Sequence, residues 1–325
     1  MNSKRPSGLV SLSVLAALGA ASLAQAAAAP AEITIPGEKI FPESFTSSSD
    51  GSVIFGSVGA RTIFRAKPGA AASEAWIQPD TDGMKSIFGV FADDKSKTLW
   101  ACSNSFGPPA PGAAPTPASL YAFDLKTGAS KGHWAMPTAG AFCNDIAIGS
   151  DGTAYATDTQ NMEVVRLTKG AKDLEVWAGN GAFGPKGGVL DGLSVLGKHV
   201  YVNALATSKL FSVPIESDGK AGTATEVKLD RAIERPDGMR SFGTKDTLLI
   251  VEGGSGGRLS KIVLSGDSGK VTTVKEGYPD GPVAVTVVGT TGYVLEGQLA
   301  GMRGKPDPDA KPKPFKATAV PVGKP

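Results

Sequence analysis

Short apolar segments recur along the chain at a nearly constant interval and are separated by turn residues. Six units share one plan, a strand, a turn and a second strand. Successive units begin 44, 57, 47, 46 and 46 residues apart. We call the first positions of these units the anchors; they are Glu43, Ile87, Asn144, Asp191, Asp237 and Val283.

The residues between the segments are typical of tight hairpins. Asp50-Gly51 and Asp151-Gly152 each follow the first segment of a unit and precede a second one, Val53 to Ser57 or Ala154 to Thr159. Asp-Gly between apolar runs favours a two-residue hairpin turn. A third segment, and in most units a fourth, follows before the next anchor. The pattern therefore predicts four antiparallel strands in each unit.

Repeated four-stranded units of roughly 45 residues predict a β-propeller, and six units predict six blades. The sixth unit lacks a fourth strand before the chain ends. The segment Ala31 to Pro36, which alternates around Ile33 and Ile35, could supply that strand and close the ring. A β-sandwich is the alternative all-β fold, but it does not explain a six-fold register of anchors.

The first 26 residues predict an export signal. Lys4 and Arg5 precede an apolar stretch from Leu9 to Leu23, and Ala24-Gln25-Ala26 is a small-residue cleavage motif. The apolar stretch is too short for a membrane span. We therefore expect cleavage after Ala26, a periplasmic or secreted protein, and a single propeller domain over residues 27–325.

Charge gives no indication of a polyanionic partner. The chain has 33 basic and 31 acidic residues, and cleavage would remove two basic residues, leaving 31 of each. A balanced surface excludes the strongly basic character of most nucleic-acid-binding domains. We expect a small-molecule substrate, no nucleic acid and no membrane span, and a monomer, although an oligomer is an open alternative.

The innermost strands of a propeller line its central channel, so the anchors should converge. Glu43, Asp191 and Asp237 would bring three carboxylates together, with the amide of Asn144 beside them. Such a group repels itself unless protons or a cation compensate the charge. Oxygen ligands suit a hard cation, so Ca²⁺ is the first choice, with Mg²⁺, Mn²⁺ or Zn²⁺ as alternatives.

The residues around four anchors resemble the senescence-marker-protein (regucalcin) and gluconolactonase family. The matching segments are Phe41-Pro42-Glu43-Ser44, Asn144-Asp145-Ile146-Ala147 followed by Asp151-Gly152, Leu190-Asp191-Gly192-Leu193 and Arg235-Pro236-Asp237-Gly238-Met239. The resemblance implies a six-bladed propeller in which Glu43, Asn144 and Asp237 hold a divalent cation. It also implies that Asp237 acts as a general base.

Two positions depart from the family pattern. Asp191 stands where the family has an asparagine, which preserves metal binding and adds a charge. Phe142 stands where the lactonases often have an arginine for a polar substrate, and this puts specificity for sugar lactones in doubt.

These features predict a metal-dependent hydrolase of a lactone or related ester with Asp237 as the base. The alternative is a non-catalytic binding propeller that keeps a structural metal. Asp237 could also simply cap a turn, because Pro-Asp-Gly is common turn chemistry. The substrate-binding candidates are Phe142, Asn144, Glu252 and Glu296; the two glutamates end second strands and could equally be solvated turn residues.

The remaining reactive residues are few. His133 and His199 are the only histidines, which leaves little for a histidine-rich zinc site or a Ser-His-Asp triad. Cys102 and Cys143 fall near one face in adjacent blades, so a disulfide and two free buried thiols are both open. Two long loops, Asn104 to Ala118 and Ala300 to Lys313, are predicted to overlook the anchors.

Overall fold

The computed structural model describes Met1 and residues 29–106, 116–243, 246–303 and 313–324. The predicted signal segment and its cleavage point lie outside these residues, as do the middle parts of the two long loops. Among the described residues, helix is confined to a 3-10 turn at Thr81–Gly83 and one α-helical turn, α1, at Ala300–Arg303. No described helix has the length and apolar character that crossing a bilayer requires.

The described strands form six sheets, and each sheet is one blade. Strand β1 (Glu32–Ile35) comes first in the chain. Blade 1 consists of β2 (Pro42–Ser47), β3 (Val53–Ser57), β4 (Ile63–Ala66) and β5 (Glu74–Ile77). Blade 2 consists of β6 (Ser86–Asp93), β7 (Thr98–Asn104), β8 (Ser119–Asp124) and β9 (Ser130–Ala135). Blade 3 consists of β10 (Cys143–Ile148), β11 (Ala154–Asp158), β12 (Glu163–Leu167) and β13 (Glu175–Ala178).

The second half of the chain repeats this plan. Blade 4 consists of β14 (Leu190–Leu196), β15 (His199–Ala204), β16 (Lys209–Pro214) and β17 (Thr225–Glu226). Strand β18 (Lys228–Leu229) leads into blade 5, which contains β19 (Pro236–Ser241), β20 (Thr247–Glu252), β21 (Arg258–Ser265) and β22 (Ser268–Glu276). Blade 6 contains β23 (Pro282–Val288), β24 (Thr291–Glu296) and β25 (Phe315–Pro321).

The N-terminal strand closes the ring, as the sequence predicts. Strand β1 pairs with β25 in antiparallel register, Glu32 opposite Thr318 and Ile35 opposite Phe315, so it is the outer strand of blade 6. The first and last blades thus share strands from both ends of the chain, and the blade avoids an unpaired edge. The six-bladed propeller is confirmed and the β-sandwich is excluded.

Blade 5 departs from the predicted four strands. The segment from Ala224 to Leu229 follows the third strand of blade 4, but the structure divides it between two blades. Thr225 and Glu226 pair with β16 of blade 4, whereas Lys228 and Leu229 pair in parallel with β22 of blade 5. Blade 5 is therefore a five-stranded sheet.

The apolar core lies between neighbouring blades. One cluster joins blades 1 and 2 through buried side chains that include Ile54, Ile63 and Phe123. Another joins blades 3 and 4 through Tyr155, Trp177 and Phe211. Because each blade buries both faces against its neighbours, the ring holds the innermost strands at fixed positions around the channel.

Every innermost strand carries a β-bulge at its anchor. In blade 3, Cys143 pairs with Asp158 and Ile146 with Ala156, so the bulge falls on Asn144 and Asp145. Similar register shifts occur in the other five blades. A bulge redirects the side chain that it carries and is frequent next to functional sites. The anchors therefore form one ring.

The bulge in blade 2 shows that one predicted anchor position is wrong. In blade 2 the pairing runs from Ile87 with Ser103 to Val90 with Ala101, so Ile87 corresponds to Leu190 of blade 4 rather than to Asp191. The equivalent of Asp191 is Phe88, and the ring is Glu43, Phe88, Asn144, Asp191, Asp237 and Val283. The predicted anchor at Ile87 is one residue early because a bulge breaks the two-residue alternation that marks a strand in sequence.

Candidate functional site

Three anchors form a compact group of carboxylates in the channel. Glu43, Asp191 and Asp237 each offer an oxygen, and these oxygens all lie within 4.8 Å of one another. Glu43 and Asp191 are buried, whereas Asp237 keeps partial exposure. We call these three residues the acidic cluster. The sequence-based prediction that they converge is confirmed.

Glycines after two anchors allow the strands to approach closely. A Cβ on Gly192 would lie 2.5 Å from the backbone oxygen of Asp237, and one on Gly238 would lie 2.6 Å from the backbone oxygen of Val283. Real Cβ atoms do not approach so near, so only glycine permits this spacing between blades 4, 5 and 6. The position of Asp237 next to Asp191 therefore depends on Gly192.

Asn144 lies beside the acidic cluster with its amide orientation fixed. Its Nδ2 donates to Thr159 Oγ1 at 3.1 Å, and that hydroxyl donates to the backbone oxygen of Leu190 at 2.6 Å. Because the Thr159 hydroxyl donates its only proton to the Leu190 oxygen, it must accept the hydrogen bond from the Asn144 amide. The Asn144 Oδ1 atom is buried and has no hydrogen-bond partner. A buried acceptor without a partner is costly, and a cation would satisfy it.

The charges of the cluster are unfavourable without a counterion. Burial, reinforced by Asp145, raises the pKa of Asp191 from its ordinary 3.8 to about 7. Burial followed by the charges of Asp191 and Asp145 raises the pKa of Glu43 well above its usual range. Burial followed by Asp191 and Glu43 does the same to the pKa of Asp237. Together with the free Asn144 oxygen, these carboxylates could hold a metal ion.

An ion pair spans the channel next to the acidic cluster. Arg240 Nη1 contacts Asp145 Oδ2 at 2.8 Å and Oδ1 at 3.1 Å, and both side chains are buried. The same guanidinium donates to the backbone oxygens of Met239 and Val90 and to Ser44 Oγ. It therefore ties blades 1, 2, 3 and 5 together and places one fixed positive charge beside the carboxylates.

Two further residues hold the anchors through their backbone. Asn203 is fully buried at the end of β15, and its Nδ2 donates to the backbone oxygen of Asp237 at 2.7 Å. Thr157 Oγ1 donates to the backbone oxygen of Asp191 at 2.8 Å and accepts from the backbone N–H of Asp145 at 3.0 Å. Both residues position the cluster from the neighbouring blade.

Glu252 ends β20 and lies within a network of ion pairs. Its carboxylate accepts from Arg231, Ser260 and the backbone N–H of Glu234, and Arg258 Nε lies 3.3 Å away. Burial raises its pKa, but the hydrogen bonds from Arg231 and Ser260 outweigh this and leave the pKa below its ordinary value. The side chain is fully buried. A contact between Glu252 and a substrate stays a prediction.

Glu296 occupies the equivalent end of β24 in blade 6. Its Oε1 accepts from the backbone N–H of Asp280 at 3.0 Å, in the loop that leads into β23. Glu252 binds the loop before β19 in the same way, through Glu234. The two glutamates thus share a role in fixing the loops before their blades' first strands. A contact between Glu296 and a substrate likewise stays a prediction.

Of the two alternatives left open for the cysteines, the structure has the disulfide, and it lies beside Asn144. Cys102 of β7 and Cys143 of β10 are bonded, with their Cα atoms 5.2 Å apart. Asn104 adds two hydrogen bonds to the Cys143 backbone, at 2.7 Å and 3.0 Å. The start of β10 is therefore fixed to blade 2 by a covalent bond and by the asparagine.

Phe142, the last predicted substrate-binding residue, lies one residue before β10. Its backbone N–H donates to Asp158 Oδ1 at 3.0 Å. Its ring packs against Phe88 at 4.7 Å between centroids. Phe142 is partly exposed and precedes Asn144 by two residues.

Sequence reasoning missed Arg240, Asp145 and Thr159. Arg240 and Asp145 are charged residues in innermost strands, and a charge inside a strand that the repeat places at the channel is the signal that could have marked them. Their pairing across 95 residues has no sequence signal. Thr159 follows a strand end and resembles any other turn threonine.

Comparison with known proteins gives matches only at the level of structure. No family model matches this chain, and no curated protein matches it. A gluconolactonase from Xanthomonas campestris superimposes with a TM-score of 0.59 at 12% identity, covering 87% of each chain. Regucalcin from Agrobacterium tumefaciens, described as a calcium-binding protein, gives 0.57 at 11% identity, covering 90% of this chain and 97% of its own.

A third match is to an enzyme of another class. It is a catalytically inactive histidine-to-alanine variant of virginiamycin B lyase from Staphylococcus aureus, with a TM-score of 0.56 at 16% identity, covering 88% of this chain and 98% of its own. Identities this low establish the fold alone, because propellers serve many functions. This chain therefore shares the propeller fold of regucalcin, gluconolactonase and the lyase, and the resemblance inferred from its sequence is confirmed at that level.

Proposed function

We propose that this protein is an exported hydrolase that uses a divalent cation, with Ca²⁺ as the first choice, to open a lactone or related ester. The observation that carries the proposal is the convergence of the three carboxylates of the acidic cluster, with the side chain of Asn144 within hydrogen-bond reach of Asp191 and its buried Oδ1 unpartnered. Buried carboxylates with raised pKa values beside a free amide oxygen are typical of a functional site for a hard cation.

This geometry supports the assignment of four ligands. Glu43, Asn144, Asp191 and Asp237 would hold the cation, and all four offer oxygen. When bound there, the cation would polarise the substrate carbonyl and lower the pKa of a water molecule. Arg240 and Asp145 hold the strands below these ligands in place.

We assign proton transfer to Asp237. It is the member of the acidic cluster that retains access to solvent, and its Oδ1 accepts the backbone N–H of Gly238 at 2.9 Å, which orients the carboxylate. In hydrolysis, water adds to the carbonyl carbon and Asp237 takes its proton. The carbon–oxygen bond of the lactone then breaks, and Asp237 returns the proton to the departing oxygen.

The histidines favour hydrolysis over a histidine-dependent lyase reaction. His133 lies in β9, the outermost strand of blade 2, where its Nδ1 is 3.1 Å from Asp82 Oδ2. His199 begins β15 and pairs with Leu196, at the opposite end of the hairpin from Asp191. Neither histidine belongs to the anchor ring.

Export is supported by the sequence of the first 26 residues and by the disulfide between Cys102 and Cys143. Disulfides persist mainly in oxidising compartments such as the periplasm or the extracellular medium. A small-molecule substrate and a monomeric state are part of the same proposal.

The test is hydrolysis of a panel of aldonic and aliphatic lactones by the mature protein. Activity should disappear in EDTA and return with Ca²⁺, Mg²⁺, Mn²⁺ or Zn²⁺. Turnover that EDTA does not change would contradict the metal requirement. A rise in melting temperature with metal, but no turnover of any lactone, would instead favour a binding propeller with a structural metal.

A further inference from the structure

Three phenylalanine rings meet where blades 2 and 3 contribute to the anchor ring. The ring centroids of Phe88 and Phe142 are 4.7 Å apart, those of Phe88 and Phe106 are 5.6 Å apart, and those of Phe106 and Phe142 are 6.0 Å apart. We call these residues the aromatic cluster. Edge-on and tilted contacts at such distances are favourable for aromatic rings.

The aromatic cluster is continuous with the proposed site. Phe88 is the blade 2 member of the anchor ring, between Glu43 of blade 1 and Asn144 of blade 3. The strands are in close contact there, because a Cβ on Gly89 would lie 2.2 Å from the backbone oxygen of Asn144. Phe142 precedes Asn144 by two residues. The aromatic cluster therefore borders the anchor ring at blades 2 and 3, next to Asn144.

The rings are not sealed inside the protein. Phe106 is 57% exposed, and Phe88 and Phe142 are partly exposed. A single exposed apolar side chain is ordinary, but three touching rings next to polar groups form the mixed surface that small-molecule sites use. The disulfide at Cys143 and the hydrogen bond from Phe142 N–H to Asp158 hold the surface in place.

We infer that the aromatic cluster binds the apolar part of the substrate, so that the protein prefers lactones or esters with an alkyl chain of several carbons or an aryl group. This inference rests on the proposed hydrolase function. The carbonyl would lie over the acidic cluster and the apolar substituent would lie against Phe88, Phe106 and Phe142. Burying each methylene there should raise kcat/KM about fourfold.

The experiment compares γ-butyrolactone with γ-octalactone in saturating Ca²⁺. For the unmodified protein, kcat/KM should be at least tenfold higher for γ-octalactone. Phe106→Ala and Phe142→Ala should each lower this ratio at least fivefold, while Phe106→Leu should retain most of it. The control is Val263→Ala, another exposed apolar residue (42% exposed) on β21 of blade 5, which should leave the ratio unchanged. Equal ratios in Phe106→Ala and the unmodified protein would overturn the inference.

Binding of γ-octalactam, which resists hydrolysis, separates the two proposals. If no lactone is hydrolysed but the lactam binds at least tenfold more weakly to Phe106→Ala than to the unmodified protein, binding by the aromatic cluster is supported and the hydrolase proposal fails. If γ-butyrolactone is hydrolysed with added metal but chain length has no effect, the hydrolase stands and the aromatic cluster is overturned. Equal affinity of Phe106→Ala and the unmodified protein for the lactam also overturns the inference about the aromatic cluster.

Discussion

The ion pair between Arg240 and Asp145 should be a major determinant of stability. Replacing Arg240 by methionine removes the charge but keeps an apolar side chain of similar length. Asp145 is then left buried without its partner, close enough to Glu43 and Asp191 for each charge to disfavour the others. Removing one member of a buried pair typically costs about 3–5 kcal/mol.

The assay is thermal and urea unfolding of Arg240→Met in EDTA at pH 7.5. A loss of this size corresponds to a fall in melting temperature of roughly 5–10 °C in a protein of this length. The double variant Arg240→Met/Asp145→Asn should recover most of the loss, because the neutral amide can still accept the backbone N–H of Leu193. Lys67→Met is the control: its ion pair with Glu74 is exposed, so it should change stability by less than about 1 kcal/mol.

Two results would refute this reasoning. One is a loss below about 1 kcal/mol in Arg240→Met, which is the range of an exposed pair. The other is a double variant as unstable as the single one, which would mean that the loss comes from packing of the arginine stem rather than from the unpaired charge of Asp145.

Three further predictions concern the site itself. Asp237→Ala should abolish lactone hydrolysis and weaken metal binding while circular dichroism and melting behaviour in EDTA show an intact fold; unchanged turnover would remove Asp237 from the mechanism. Gly192→Ala should lower the free energy of unfolding in urea by about 1–3 kcal/mol, because the added Cβ would clash with the Asp237 backbone. Gly253→Ala is the control and should be nearly neutral, because the nearest atom to its added Cβ is 3.6 Å away. Equal effects of the two substitutions would contradict the close approach of the strands at Gly192. Folding raises the pKa of Asp191 to about 7, so ionising this carboxyl lowers the stability of the folded protein as pH rises from about 4 to above 7. In EDTA, Asp191→Asn should therefore become increasingly more stable than the unmodified protein over this range. A difference in melting temperature that does not depend on pH would refute this.

The sequence predicts the repeat and its closure because both depend on local patterns. Apolar alternation and Asp-Gly turns mark the hairpins, and Ile33 and Ile35 mark the closing strand. The convergence of Glu43, Asp191 and Asp237 then follows from the symmetry of a propeller. These features require no knowledge of side-chain contacts.

What the sequence does not predict depends on contacts across the ring. The bulge in blade 2 moves the anchor from Ile87 to Phe88, and strand alternation gives no sign of it. The ion pair of Arg240 and Asp145 joins blades 5 and 3 through the channel. At the crossing from blade 4 to blade 5, the backbone N–H of Val227 donates to the backbone oxygen of Leu210, a contact that residue type does not specify.

Calorimetric titration of Ca²⁺ into the EDTA-treated, dialysed protein tests the central claim most directly. We expect one binding site per chain, with affinity at least tenfold lower in Asp237→Asn and unchanged in Asp218→Asn, whose carboxylate is exposed and pairs with Lys220. Absence of binding by Ca²⁺, Mg²⁺, Mn²⁺ and Zn²⁺, or equal affinity in Asp237→Asn and the unmodified protein, would contradict a cation site formed by the acidic cluster and Asn144.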